Sequence, residues 1–315
     1  MLFSGRSNRE LALRIAEKLG IELGGVTLKT FANGENYVRF DDSIRGADVF
    51  IVQSGSPPVN DHLMELLIMI QSARLASAKR VTAVVPWFPY SRQDKKSEPR
   101  EPITARLVAD MLEVAGADRV LTMDLHAGQI QGFFQIPVDH MTALPLLAQY
   151  FRDKGLFGDG VVAVSGDAGR AKTARRLGQM LEADLAIMNK TRPAHDVAQV
   201  SEVIGRVDGR TAIMIDDVIM TGGTLVAAAE ALRAAGALEV YSCATHGLFN
   251  GNAFERLDSD ALTEITVTDT VPIDPLNCPD KIKVLSVSTL LAETIHNVFA
   301  DDSVSAIFHG ENQLF

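Results

Sequence analysis

The chain has 315 residues, 47% hydrophobic and 22% charged, the proportions of a globular protein with room for two ordinary domains. A formal net charge of -10 argues against general nucleic-acid binding. Cys243 and Cys278 form no CxxC pair, the first residues lack the apolar core of a signal peptide, and no apolar run approaches the roughly 18–20 residues of a membrane span, so a cytoplasmic enzyme without structural zinc or a disulfide framework is expected.

Apolar β-rich runs alternate with helical patterns. Strands are expected at 49–52, 81–86, 120–123, 161–164, 185–188, 211–215, 240–243 and 283–287. Helices are expected at 61–78, with Asp61 as N-cap, and at 103–115, 169–182 and 225–235. This order predicts an α/β fold of mainly parallel sheets flanked by helices. The chain also repeats itself. MLEVAGADRVLTMDLHAG at 111–128 aligns with ALRAAGALEVYSCATHGL at 231–248, an offset of 120, and TAVVP at 82–86 aligns with TAIMI at 211–215, an offset of 129. Two similar domains follow, 1–147 and 148–315. The extra residues of the first copy fall at 90–101, in a long polar loop of the kind that serves as a lid or binding element.

Several segments carry chemistry. In TAIMIDDVIMTGGT (211–224) an apolar strand leads into an acidic turn of Asp216 and Asp217, and Thr221, Gly222, Gly223 and Thr224 form a small-residue loop that opens a helix. Amides and hydroxyls at a helix start suit a phosphate, and glycines let the backbone approach it. Carboxylates would repel that phosphate, so they suit sugar hydroxyls or a metal. The two halves together predict a site for a phosphorylated sugar. YSRQDKKSEPREP (90–102) gathers Arg92, Lys95, Lys96 and Arg100, a cationic loop able to close over an anion. KTRPAHDVAQV (190–200) sets Lys190 and Arg192 on one side of an extended segment, where they can stabilise a transferring phosphoryl group. GDAGRAKT (166–173) nearly spells a P-loop, but Ala171 replaces the last required glycine, so that reading is weak. MDLHAGQIQGFFQIPVD (123–139) places His126 just after a strand, and FANGE (31–35) is a strand end with a glycine turn.

Along essentially its whole length the chain resembles the ribose-phosphate pyrophosphokinase (PRPP synthetase) family, in the style of its phosphate-activated class. RQDKK, DLHAGQIQGFF and the KTRP run carry the resemblance, together with the acidic strand end and TGGT. It implies two phosphoribosyltransferase-type domains, and diphosphoryl transfer from ATP to O1 of ribose 5-phosphate. Phe31, Asn33 and Glu35 would hold adenine in a neighbouring subunit's site, with Arg92 stacking on the base and Gln93, Lys95 and His126 completing the ATP contacts. Asp216, Asp217 and Thr221–Thr224 would bind ribose 5-phosphate, and Lys190 and Arg192 would be the catalytic pair. Mg²⁺ is implied near His126, through water, phosphate or imidazole, and on the ribose side near Asp167 or Asp216. Ser43, Arg45, Ser303 and Ser305 match regulatory positions for phosphate, the expected activator, and ADP. A homohexamer with shared active sites is implied, and neither nucleic acid nor a membrane is an expected partner. Two departures stand out: Arg170 where the family shows glycine, and Met220 where this class shows an acid. A PRPP-using phosphoribosyltransferase would need no ATP loop. A catalytically silent regulatory paralogue would interrupt the catalytic loops.

Overall fold

The computed structural model describes residues 1–194 and 197–308, apart from the side chains of 168, 190–194, 197–202, 306 and 308. The chain divides into two compact units, each with its own sheet.

The first unit comprises Met1–Thr142, Thr270–Pro272 and the described residues from Ser286 onward. Its strands are β1 (Leu2–Ser4), β2 (Val26–Thr30), β3 (Asn36–Phe40), β4 (Asp48–Val52), β5 (Arg80–Val85), β6 (Arg119–Met123) and β7 (Val138–Met141). A parallel sheet runs β1-β4-β5-β6-β7, and β2 and β3 form a separate antiparallel hairpin. Helix α1 spans Arg9–Leu19, α2 Val59–Leu75 and α3 Thr104–Ala115. One face of the sheet buries Val49, Ile51, Val81, Ala83 and Val85 against Leu66, Met69 and Ile70 of α2 and Val108 and Leu112 of α3. Asp61 is not the cap of α2: the helix starts at Val59 after Pro58, and Asp61 lies in its first turn. Proline suits the helix entry because the first amides have no helical acceptor, and an acid in the first turn complements the helix dipole.

The second unit comprises Ala143–Asp269 and Ile273–Leu285 among the described residues. Its strands are β8 (Val161–Ser165), β9 (Asp184–Ala194), β10 (Val197–Ile204), β11 (Thr211–Ile219), β12 (Glu239–Gly247), β13 (Glu264–Thr268) and β14 (Ile282–Leu285), in sheet order β10-β9-β8-β11-β12-β13-β14. Among the described strands of this sheet only the β9–β10 pair is antiparallel. Helix α4 spans Leu144–Asp153, α5 Ala171–Met180, α6 Gly223–Ala234 and α7 Ala253–Leu257. The sheet is covered on both faces, which is why its strands read as unbroken apolar runs. Ala163, Ile213, Ile215, Tyr241 and Cys243 pack with α4 and α5. The alternate positions Val162, Val164, Ala212, Met214 and Val240 pack with α6 and α7.

The aligned repeats fall on matching units. β5–α3–β6 and β11–α6–β12 are both parallel strand–helix–strand crossovers, and Gly116 and Gly236 follow their helices at φ 109° and 94°. The end of the chain departs from a division at 147/148. Helix α8 (Ser288–Phe299) packs against α1, and Arg80 pairs with Asp301, so the closing segment groups with the first unit.

Candidate active site

The β11–α6 junction places the acidic pair and the small-residue run together. Strand β11 is longer than its apolar core predicts: it continues through both aspartates to Ile219, pairing with β12 up to Gly247. Its pairing with β8 stops at Ile215. Asp216 and Asp217 therefore sit on a strand end rather than in a turn, at successive positions that face opposite ways. Gly222 caps α6 at φ 73°, and no side chain caps this helix start. A Cβ on Gly222 would lie 2.7 Å from Leu257 Cγ, so the position requires glycine on both counts. Gly223 is the first helical residue, and Arg256 Nη1 lies 3.9 Å from where its Cβ would be. The opening turn of α6 thus presents amides and a nearby guanidinium, a good environment for an anion.

Arg170 governs the electrostatics of the pair. It follows β8 at the N-cap of α5, and its Nη2 lies 2.6 Å from Asp217 Oδ2 while its Nε lies 3.7 Å from Asp216 Oδ1. Only 4% of the Asp217 side chain is exposed, against 48% of Asp216. The Asp217 amide donates to Asp216 Oδ1 at 2.8 Å. Desolvation by the surrounding chain and the charge of Asp217 push the Asp216 carboxyl up to about 7, against the lowering pull of Arg170. Since nearly half of this side chain meets solvent, the neighbouring carboxylate is the cause on which the direction rests. Asp167 is exposed in the turn before α5, and its Oδ1 accepts from the Arg170 amide at 3.1 Å.

In the first unit, the cationic loop and the His126 segment are joined. Gln129 Nε2 donates to the buried Asp94 at 3.0 Å. Gln93 accepts from the Ala105 amide through its carbonyl and from Thr104 Oγ1 through its side chain, which ties the loop to the start of α3. Arg92 and Lys95 are exposed on this loop. Asp124 directly follows β6 at φ 33°, a strained conformation for a residue other than glycine and one that often marks a functional site. His126 follows it, half-buried.

Phe31, Asn33 and Glu35 are exposed at the tip of the β2–β3 hairpin. The Phe31 amide donates to Glu35 O at 2.8 Å, and the Glu35 amide to Asn33 Oδ1 at 3.2 Å. Arg6 clamps the base of this turn, its Nη1 on Thr30 Oγ1 at 2.8 Å and its Nη2 on Asn36 Oδ1 at 2.7 Å. The same guanidinium pairs with the buried Glu65, which also accepts from the Arg6 amide and from Gln53 Nε2. Sequence reasoning missed Arg6 and Glu65. The available signal was Glu65 itself, a lone acid inside the apolar run LMELLIMI, because a buried acid needs a partner.

The backbone of the segment holding Lys190 and Arg192 belongs to strand β9, with Lys190 opposite Val200 of β10. The side chains of both residues lie outside the described set. Ser43 and Arg45 follow β3, and Arg45 Nη1 donates to Ser77 Oγ at 3.2 Å. Ser303 and Ser305 share a hydroxyl hydrogen bond of 2.9 Å. Among the described residues no three His, Cys, Asp or Glu side chains converge as a metal cage. Magnesium commonly takes only one or two carboxylates, with water and substrate phosphate completing its shell, so the exposed Asp167 suits an ion that arrives with substrate. Among the described residues no helix is long and apolar enough to cross a membrane.

The chain is similar to known proteins along nearly its whole length. Residues 1–116 match a family described as the N-terminal domain of ribose phosphate pyrophosphokinase, and residues 163–309 match the phosphoribosyl synthetase-associated domain. The chain is 52% identical over 307 residues to a ribose-phosphate pyrophosphokinase of Caldanaerobacter subterraneus, covering 98% of this chain and 97% of that one. It is 49% identical over 308 residues to the enzyme of that name from Fusobacterium nucleatum, covering 98% of each. The crystal structure of phosphoribosylpyrophosphate synthetase from Mycobacterium smegmatis superimposes with a TM-score of 0.89 at 45% identity, over 96% of this chain and 99% of that one.

Proposed function

The chain belongs to the ribose-phosphate pyrophosphokinase family, and from that premise we propose how its residues transfer the diphosphoryl group of ATP to O1 of ribose 5-phosphate, giving PRPP and AMP. The first unit takes ATP. Phe31, Asn33 and Glu35 at the hairpin tip hold adenine in a neighbouring subunit's site. Arg92, Gln93 and Lys95, on a loop tied to α3 and to the His126 segment, take the nucleotide. The second unit takes the acceptor: Asp216 and Asp217 accept hydrogen bonds from the pentose hydroxyls, and the backbone and hydroxyls of Thr221–Thr224 hold the 5-phosphate.

O1 attacks the β-phosphorus in line with the bond to the AMP oxygen. That P–O bond breaks, and its electron pair leaves on AMP. Lys190 and Arg192 stabilise the negative charge of the transferring group, a role assigned from the family resemblance. His126 beside ATP and Asp167 on the ribose side would hold magnesium, which would supply charge neutralisation and lower the pKa of the O1 hydroxyl. The O1 proton passes to water, so no side chain in the second-unit site is required as general base.

The reading extends to an oligomer with shared active sites, of hexamer size, and to residence in the cytoplasm. It also assigns activation by inorganic phosphate to Ser43, Arg45, Ser303 and Ser305. The observation that carries it is the β11–α6 junction, where a carboxylate pair and an uncapped, glycine-opened helix start share one strand–helix connection. Incubation with ATP, Mg²⁺ and ribose 5-phosphate should release AMP, with faster release when inorganic phosphate is added. A phosphoribosyltransferase or a silent paralogue would release none.

A further inference from the structure

We infer that Arg170 is the resident counter-cation of the pentose-site carboxylates, a positioning residue that lets ribose 5-phosphate bind without a free divalent ion beside Asp216 and Asp217. The inference rests on the reading of this strand end as the pentose site.

Asp217 is almost wholly buried, and an ionised carboxylate in that setting needs a partner. Arg170 provides one at 2.6 Å, with its Nε reaching toward Asp216 at 3.7 Å, so one delocalised cation spans both acids. The guanidinium is placed by its own backbone: the Arg170 amide donates to Asp167 Oδ1 at 3.1 Å and to the Asp167 carbonyl at 3.3 Å, and the residue opens α5. Asp217 lies two positions past Ile215, which packs on the side of the sheet where α4 and α5 sit. Anchor, cation and buried acid therefore belong to one rigid corner between β8, α5 and β11.

A divalent ion at these oxygens would have to displace or share with a cation covalently fixed to the chain.

The test is calorimetric titration of ribose 5-phosphate into the full chain, in excess Mg²⁺ and again with the metal chelated, for wild type, R170G and R170K. Wild-type affinity should change by less than about threefold on chelation. R170G, which removes this cation from the pair, should lose at least about tenfold in chelator and recover in Mg²⁺, and R170K should fall between. Thermal unfolding of each protein checks that it is folded, and R170Q, which keeps length without charge, carries the comparison if R170G does not fold. Equal sensitivity to chelation in wild type and variant would overturn the role of Arg170 alone. Failure of the wild type to bind in either medium would overturn the pentose-site reading and this inference with it.

Discussion

Gly222 and Gly223 are neighbours with opposite requirements, and alanine at each position tests the helix start directly. At Gly222 the backbone has φ 73°, and an added Cβ would lie 2.7 Å from Leu257 Cγ and 2.8 Å from its Cδ2. Leu257 is fully buried and packs in the core beneath α6, so it has little room to retreat. The left-handed conformation costs alanine about 1–2 kcal/mol, and overpacking a filled core costs about 1–3 kcal/mol. Together they predict a loss of about 2–5 kcal/mol, or a shift of the loop that relieves part of it. At Gly223 φ lies outside the left-handed region and the nearest neighbour is 3.9 Å away, so alanine is sterically free. There it should leave stability unchanged or raise it by about 0.4–1 kcal/mol. Its methyl group would nonetheless project beside the first-turn amides. Urea unfolding and steady-state kinetics separate the two effects. G222A should lose stability and raise the KM for ribose 5-phosphate, while G223A should raise that KM without losing stability. In both, the KM for ATP should hold. If G222A unfolds like the wild type with an unchanged KM, the steric argument and the phosphate assignment both fail.

Replacing Arg6 with methionine strands Glu65 and frees the base of the hairpin turn. The cost should be about 2–3 kcal/mol, below that of a fully buried pair because 41% of the Arg6 side chain meets solvent, and the KM for ATP should rise; an unchanged KM would detach the hairpin from adenine binding. The raised Asp216 carboxyl has a signed effect on stability. Its folded value lies above the ordinary one, so between about pH 4 and 7 the folded chain binds more protons than the unfolded chain, and stability falls as pH rises through that window. D216N should flatten this slope in denaturation midpoints, and D217N should shift its upper end downward. K190A should cut kcat by orders of magnitude with little change in ATP affinity, and near-normal turnover would remove Lys190 from the transition state.

The sheets were legible where burial is simple. TAVVP and TAIMI are covered on both faces or nearly so, and their apolar runs, with a glycine after each following helix, disclosed the matching crossovers. The β2–β3 hairpin was hidden because its strands are half-buried and polar. β13 was hidden because Glu264 interrupts its pattern, while Lys154 at 2.6 Å and Tyr150 at 2.9 Å satisfy that acid from α4 and its C-cap. Local patterns carry little about pairings between distant segments. Thus Arg170 could be seen as a departure but not as the partner of Asp217, and Arg6 gave no sign of holding the turn at 31–35. For the same reason α8 gave no hint that it returns to the first unit: its packing against α1 depends on a fold already formed.

The transfer itself is tested most directly by following the phosphorus atoms. Phosphorus NMR of the purified protein with ATP, Mg²⁺ and ribose 5-phosphate should show AMP and a diphosphate ester on C1 of the sugar rising together, one for one, with both transferred phosphorus atoms in the sugar product. Formation of ADP, or of AMP with free pyrophosphate and unchanged ribose 5-phosphate, would contradict diphosphoryl transfer to O1.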